Sequence, residues 1–171
     1  MSDDAQGLYD WLLTHRFYLR SSEVRYYYEL EGQTIGIIHI QGIQNLLVHV
    51  SNFEENLPKS LPVRDFVEQT ALGKLHAVVA EMKENNDTYD VIIASDTVIY
   101  FEGEILGKPA DAKDAFKTLQ RLRGREHLVY SGVALAYKDG TEEVFSEETR
   151  VEFGEYPDRI IQQYVDSGEP L

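Results

Sequence analysis

The 171-residue sequence contains no cysteine, which removes disulfide frameworks, thiolate metal sites and thiol nucleophiles at once. No apolar run reaches the length of a membrane span, and no signal-peptide pattern opens the chain. These absences fit a cytoplasmic setting, and no membrane partner is expected. Neither the phosphate-binding pattern GxxxxGK[ST] nor the dinucleotide pattern GxGxxG occurs. The serines lack a nucleophile elbow, and the five histidines show no zinc spacing. Asp96 has no second aspartate two residues on, which counts against an aspartyl-phosphate mechanism. Basic residues are scarce, with 16 Lys and Arg against 30 Asp and Glu and a net charge of −14. That balance disfavours a nucleic-acid backbone as partner. A triphosphate stays open, because a divalent ion and a few local lysines neutralise it.

What is present reads as one α/β domain of ordinary composition, with 43% hydrophobic and 27% charged residues. The stretch DVIIASDTVIYFEGEILGKP, Asp90 to Pro109, organises it. Val91 to Ala94 is a short apolar run that predicts a strand buried on both faces. Such a strand delivers Asp96 at its carboxyl end, where open α/β sheets place ligands. A second strand, Val98 to Phe101, turns at Glu102-Gly103 and returns through Glu104 to Leu106. Lys108 follows, a cation near the carboxylate.

Elsewhere, Leu8, Trp11, Leu12 and His15 have helical spacing within residues 6–17. VRYYYEL and TIGIIHI, flanking Glu31-Gly32, predict a hairpin whose tyrosines pack rather than stack on bases. Leu46 to Val50 predicts a strand, followed by the acidic loop with Glu54 and Glu55. Pro58 and Pro62 lead into a long helix, Val63 to Met82, with Lys74 off its apolar stripe, where a lone lysine is usually solvated. After Pro109 comes a helix capped by Asp111, with Asp114 three residues later and Gly124 closing it. His127 to Tyr137, the Asp139-Gly140 turn and Glu143 to Phe153 form a hairpin. A helix over Pro157 to Val165 ends the order, a mixed sheet with helices packed against it.

From spacing alone, the remaining chemistry is hydrolysis by a metal-activated water, with Asp96 and either Glu54 or Glu55 as carboxylates. A purely structural role competes, in which Asp96-Thr97 caps a turn at the strand end.

ASDTVIYFEGEILGKPADAKDAFKTLQRLRGREHLVYSGVAL resembles the central block of the Maf family, nucleotide pyrophosphatases related in fold to inosine triphosphatase. The resemblance rests on Asp96-Thr97-Val98, the Gly103 turn, Leu106 to Pro109, Ala115, Leu119, Leu122, Gly124, His127 and Ser131-Gly132-Val133. SNFEENL, EETRVEF and YVDSGEP extend it over about Leu46 to Leu171, roughly three quarters of the chain. It implies an α/β fold with a mixed sheet flanked by helices, a divergent segment over residues 1–45 and a pyrophosphatase domain over 46–171. It implies that Asp96 accepts the proton of the attacking water and shares a magnesium or manganese ion with Glu55. Lys108 and Lys74 would clamp phosphate oxygens. Thr97 would mark a substrate such as dTTP, UTP or a modified pyrimidine nucleotide, and a homodimer would be expected. Two departures go with it. The family's S-x-S-P-R-R turn has no counterpart in Met1 to Asn45, and its D-K-A-G-x-Y-G-I-Q segment is absent after Pro170, implying a truncated C-terminal lobe. A non-catalytic nucleotide-binding or interaction protein is the alternative these departures imply.

Overall fold

The computed structural model describes residues 26–29, 46–49, 51–168 and 170. The helix expected over residues 6–17 and the strand expected over Thr34 to Ile40 lie outside the described residues. In chain order the described elements are β1 (Tyr26–Glu29), β2 (Leu46–Val48), α1 (Val63–Asn85), β3 (Val91–Phe101) and β4 (Glu104–Leu106). They continue with α2 (Ala112–Leu122), β5 (Glu126–Tyr137), β6 (Glu142–Glu152) and α3 (Asp158–Asp166).

The strands form a mixed sheet in the order β2-β1-β3-β5-β6, with β4 antiparallel to β3. β1 runs parallel to both its neighbours, Tyr26 standing opposite Leu46 on one side and Val91 on the other. The hairpin expectation therefore fails at Tyr26 to Glu29. Both edges of that segment are taken by parallel strands, β2 and β3, where a hairpin needs an antiparallel partner.

β3 also departs from expectation. Two short strands were expected, with Asp96 at the end of the first, but a single 11-residue strand runs through it. Asp96 is thus a mid-strand residue and not the end of a strand. The expected burial on both faces is not met either: Ile92 and Ala94 are fully buried, whereas Val91 and Ile93 are only partly so. The pleat sends alternate residues to opposite faces, so Asp96 shares the face of Ile92 and Ala94.

The chain divides into two compact units. Described residues up to Thr97, with Tyr130–Glu147, make the first; Val98–Val129, with the described residues from Glu148 on, make the second. In the first, Ala71, Leu75, Val78 and Met82 of α1 cluster with Ile92 and Ala94 of β3 and Ala134 and Ala136 of β5. Large residues on the helix against alanines on the strands bring the layers close. Gly132 of β5 takes this furthest, because a Cβ there would run into the Val67 carbonyl and the Glu68 amide of α1. The expected Asp139-Gly140 turn is present, with the Asp139 carboxylate accepting from the Thr141 amide at 2.9 Å and Gly140 at φ 85°.

In the second unit, the expected cap of α2 forms, and a second hydrogen bond reaches back to the preceding residue. Asp111 accepts from the Asp114 amide at 2.8 Å, and Asp114 accepts from the Ala110 amide at 3.1 Å. Gly124 closes the helix at φ 65°, the left-handed geometry expected of a C′ glycine. Ala115 of α2 packs with Ile161 and Val165 of α3, supported by Phe116, Leu119 and Tyr156.

The close approach at Gly132 has a measurable consequence. Gly132→Ala should lower the unfolding free energy by about 1–3 kcal/mol, the usual cost of overpacking. A shift of the denaturant midpoint at unchanged slope would show it; an unshifted midpoint would mean that the two backbones are not in contact there.

Candidate active site

The buried positions of α1 are Val67, Thr70, Ala71, Lys74, Leu75, Val78 and Met82. They recur at three- and four-residue steps, the period of a core-facing stripe. Lys74 therefore lies on that stripe, contrary to the expectation of a solvated side chain beside it. Thr70, the other polar member, satisfies its hydroxyl by donating to the Phe66 carbonyl at 2.8 Å.

A buried ammonium needs negative partners, because desolvation penalises an unpaired charge heavily. Lys74 has two. Its Nζ donates to Glu55 Oε1 at 2.7 Å and to Asp96 Oδ1 at 3.2 Å. The Lys74 side chain is 8% exposed and that of Asp96 10%, while Glu55 remains 50% exposed. Loop, helix and strand thus converge on one point. The geometry brings together Glu55, Lys74 and Asp96, three of the five residues singled out in the sequence. Glu54, the alternative carboxylate, is an exposed loop residue whose carbonyl accepts from the Asn56 amide at 2.9 Å.

Thr97 follows Asp96 along β3 and points to the opposite face by the alternation of the strand. Its hydroxyl lies 2.9 Å from that of Ser131 on β5, a partner that spacing could not have indicated. Lys108 stands in the second unit, exposed, just after β4.

Two carboxylates focused on one cationic position are the hard oxygen donors that magnesium and manganese take. Among the described residues no group of three or more His, Cys, Asp or Glu is arranged to hold a metal. Glu55 and Asp96 are two such oxygen donors, and the cation they share here is the Lys74 ammonium. Among the described residues no helix is long and apolar enough to cross a membrane.

The model of the family described as Maf-like protein matches residues 37–171. The dTTP/UTP pyrophosphatase of Dictyoglomus turgidum is 40% identical over 120 residues, covering 69% of this chain and 58% of that protein. That of Bacillus thuringiensis subsp. konkukian is 41% identical over 122 residues, covering 71% and 61%. The probable bifunctional dTTP/UTP pyrophosphatase/methyltransferase protein of Homo sapiens is 36% identical over 131 residues, covering 71% and 21%. The chain thus spans about three fifths of the length of the first two relatives. The likeness to solved structures is slight: the Staphylococcus aureus Ham1 protein gives a TM-score of 0.49 at 16% identity, over 75% of this chain and 71% of that one.

The cluster carries a pH signature. Burial works against the Lys74 ammonium, but the hydrogen bond to Glu55 and the charges of Asp96 and Glu55 outweigh it, so its pKa is raised. An unfolded lysine releases its proton near pH 10.4 or so. The folded chain holds that proton to higher pH, so the stability the cluster contributes is complete below about pH 10.4 and is lost as pH climbs through the raised value. Tyr137 and Tyr156, raised chiefly by burial, act in the same direction over the same alkaline range. Wild-type unfolding free energy should therefore fall more steeply above about pH 10 than that of Lys74→Gln, which keeps both tyrosines. Denaturant titrations at several alkaline pH values measure this, and parallel profiles would contradict the raised lysine.

Proposed function

The chain belongs to the Maf family, and on that premise we propose that it is a nucleoside triphosphate pyrophosphatase acting on dTTP, UTP and modified pyrimidine nucleotides. The reaction is nucleoside triphosphate plus water giving the monophosphate and pyrophosphate, with the α–β phosphoanhydride bond broken. The observation that carries the reading is the Glu55–Lys74–Asp96 cluster. It holds two carboxylates and a lysine at one buried point of the first unit, in a family whose relatives bear the name dTTP/UTP pyrophosphatase.

Asp96 is the proton acceptor for the attacking water. Its position inside the continuous strand β3, on the face of the buried Ile92 and Ala94, gives the carboxylate a fixed direction. Glu55 and Asp96 together are the residues that would hold magnesium or manganese. When bound, the ion supplies charge neutralisation to the triphosphate. Lys74 keeps the two carboxylates from repelling one another and presents its remaining N–H to a phosphate oxygen. Lys108, on the second unit, is a further cation suited by its chemistry to phosphate oxygens. Thr97, its hydroxyl shared with Ser131, is the residue assigned to substrate choice. The catalytic region is residues 46–171; a homodimer and a cytoplasmic setting accompany this reading without being premises of it.

The test follows pyrophosphate release from dTTP and UTP with magnesium or manganese. Asp96→Asn should lower the rate by about 10²–10⁴-fold, the range for a lost general base, while keeping a cooperative thermal transition. A folded wild-type chain that releases no pyrophosphate would sink the enzyme reading and leave nucleotide binding without catalysis.

A further inference from the structure

Gly73, in the interior of α1, precedes the buried Lys74. Glycine is among the poorest residues for a helix interior, since it adds backbone freedom and packs nothing. Its backbone does not call for glycine: among the described glycines, positive φ occurs at Gly103, Gly124, Gly140 and Gly168 and not here. The demand is for space. A Cβ on Gly73 would collide with the outer edge of the Phe53 ring, at its Cε1, Cε2 and Cζ atoms, which lies over the helix at this point.

Phe53 stands two residues before Glu55 in the acidic loop, about 7 Å away at most. Among the described residues, the loop's other backbone hydrogen bonds are local. The Phe53 amide donates to Ser51 Oγ at 2.9 Å, and the Asn56 amide donates to the Glu54 carbonyl at 2.9 Å. These shape the loop but do not tie it to α1. Glu55 is half in solvent, so water competes with Lys74 for its carboxylate. An apolar anchor two residues away reduces the freedom that the pair must overcome to form.

We propose that the bare backbone at Gly73 is a seat for the Phe53 ring, and that this seat is the positioning element that sets Glu55 against Lys74. Phe53 and Gly73 are positioning residues, touching neither substrate nor metal. The seat follows from packing alone; its consequence for hydrolysis rests on the function proposed above.

Because the chain has no cysteine, Asn56→Cys accepts a single nitroxide label on the exposed part of the loop. Gly73→Ala in that background should sharpen the electron paramagnetic resonance lines as the loop comes free. Its melting temperature should hold or rise, since alanine is the better helix former. Adding Phe53→Leu, which makes room for the new methyl, should return the spectrum toward the immobilised form, a non-additive result. In the unlabelled chain, Gly73→Ala should raise the manganese concentration for half-maximal rate and lower kcat, both toward the values of Glu55→Gln, with partial rescue by Phe53→Leu. A nitroxide spectrum unchanged by Gly73→Ala overturns the seat whatever the activity. A freed loop with wild-type kcat, KM and manganese dependence overturns its positioning role. If the wild-type chain hydrolyses no nucleoside triphosphate, the proposed function falls, and the seat is judged on the nitroxide alone.

Discussion

A lysine ammonium taken almost wholly out of water is the constraint on which the rest of the first unit depends. Lys74 is tolerable inside only because Glu55 and Asp96 meet it at 2.7 and 3.2 Å. Removing either partner would leave the Lys74 charge poorly compensated on a side chain that is only 8% exposed. The three residues come from a loop, a helix and a strand, so the cluster exists only once all three have been brought together. Formal charges of −1, −1 and +1 leave it net negative, which suits it to a further cation before a triphosphate approaches.

The packing around that point sets its geometry. α1 lies close to β3 and β5 because the strands present Ala94, Ala134 and Ala136, and because Gly132 lets the two backbones meet. Leu75, next to Lys74, is fully buried, and so are Ala94 and Ile92 on the face that Asp96 shares. Interiors packed at this density have little slack. A carboxylate on an inner strand and an ammonium on a core-facing helix stripe are therefore held more rigidly than loop residues would be. Glu55 is the exception, half exposed on an irregular loop, and its placement depends on what that loop rests upon.

The second unit is built by more local means. Capping by the Asp111 and Asp114 carboxylates, the left-handed Gly124 and the Ala115–Ile161–Val165 contact account for α2 and α3. Exposed ion pairs, such as Arg125 with Glu102 at 2.6 Å, fasten the β3–β4 turn. Such pairs contribute little to stability on their own. Membership of the Maf family covers both units, since the matched residues 37–171 run through each.

The sequence by itself determined the helix α2 with its cap and closing glycine, the β5–β6 turn at Asp139-Gly140, the existence of α1 and the family. All of these are written in short-range periods, caps and turn chemistry, or in motifs a few residues long. Glu55, Lys74, Asp96, Thr97 and Lys108 could be named from the same motifs, but not arranged. Only the tertiary structure decided that Asp96 sits inside a continuous strand, that β1 lies parallel between β2 and β3, and that Lys74 is buried. Lys74 and Asp96 are 22 residues apart in sequence, and no local period reports which side chains will share a face once a helix crosses a sheet. A polar residue on an apolar stripe reads as an interruption of the pattern. It becomes a site only when the fold supplies its opposite charges.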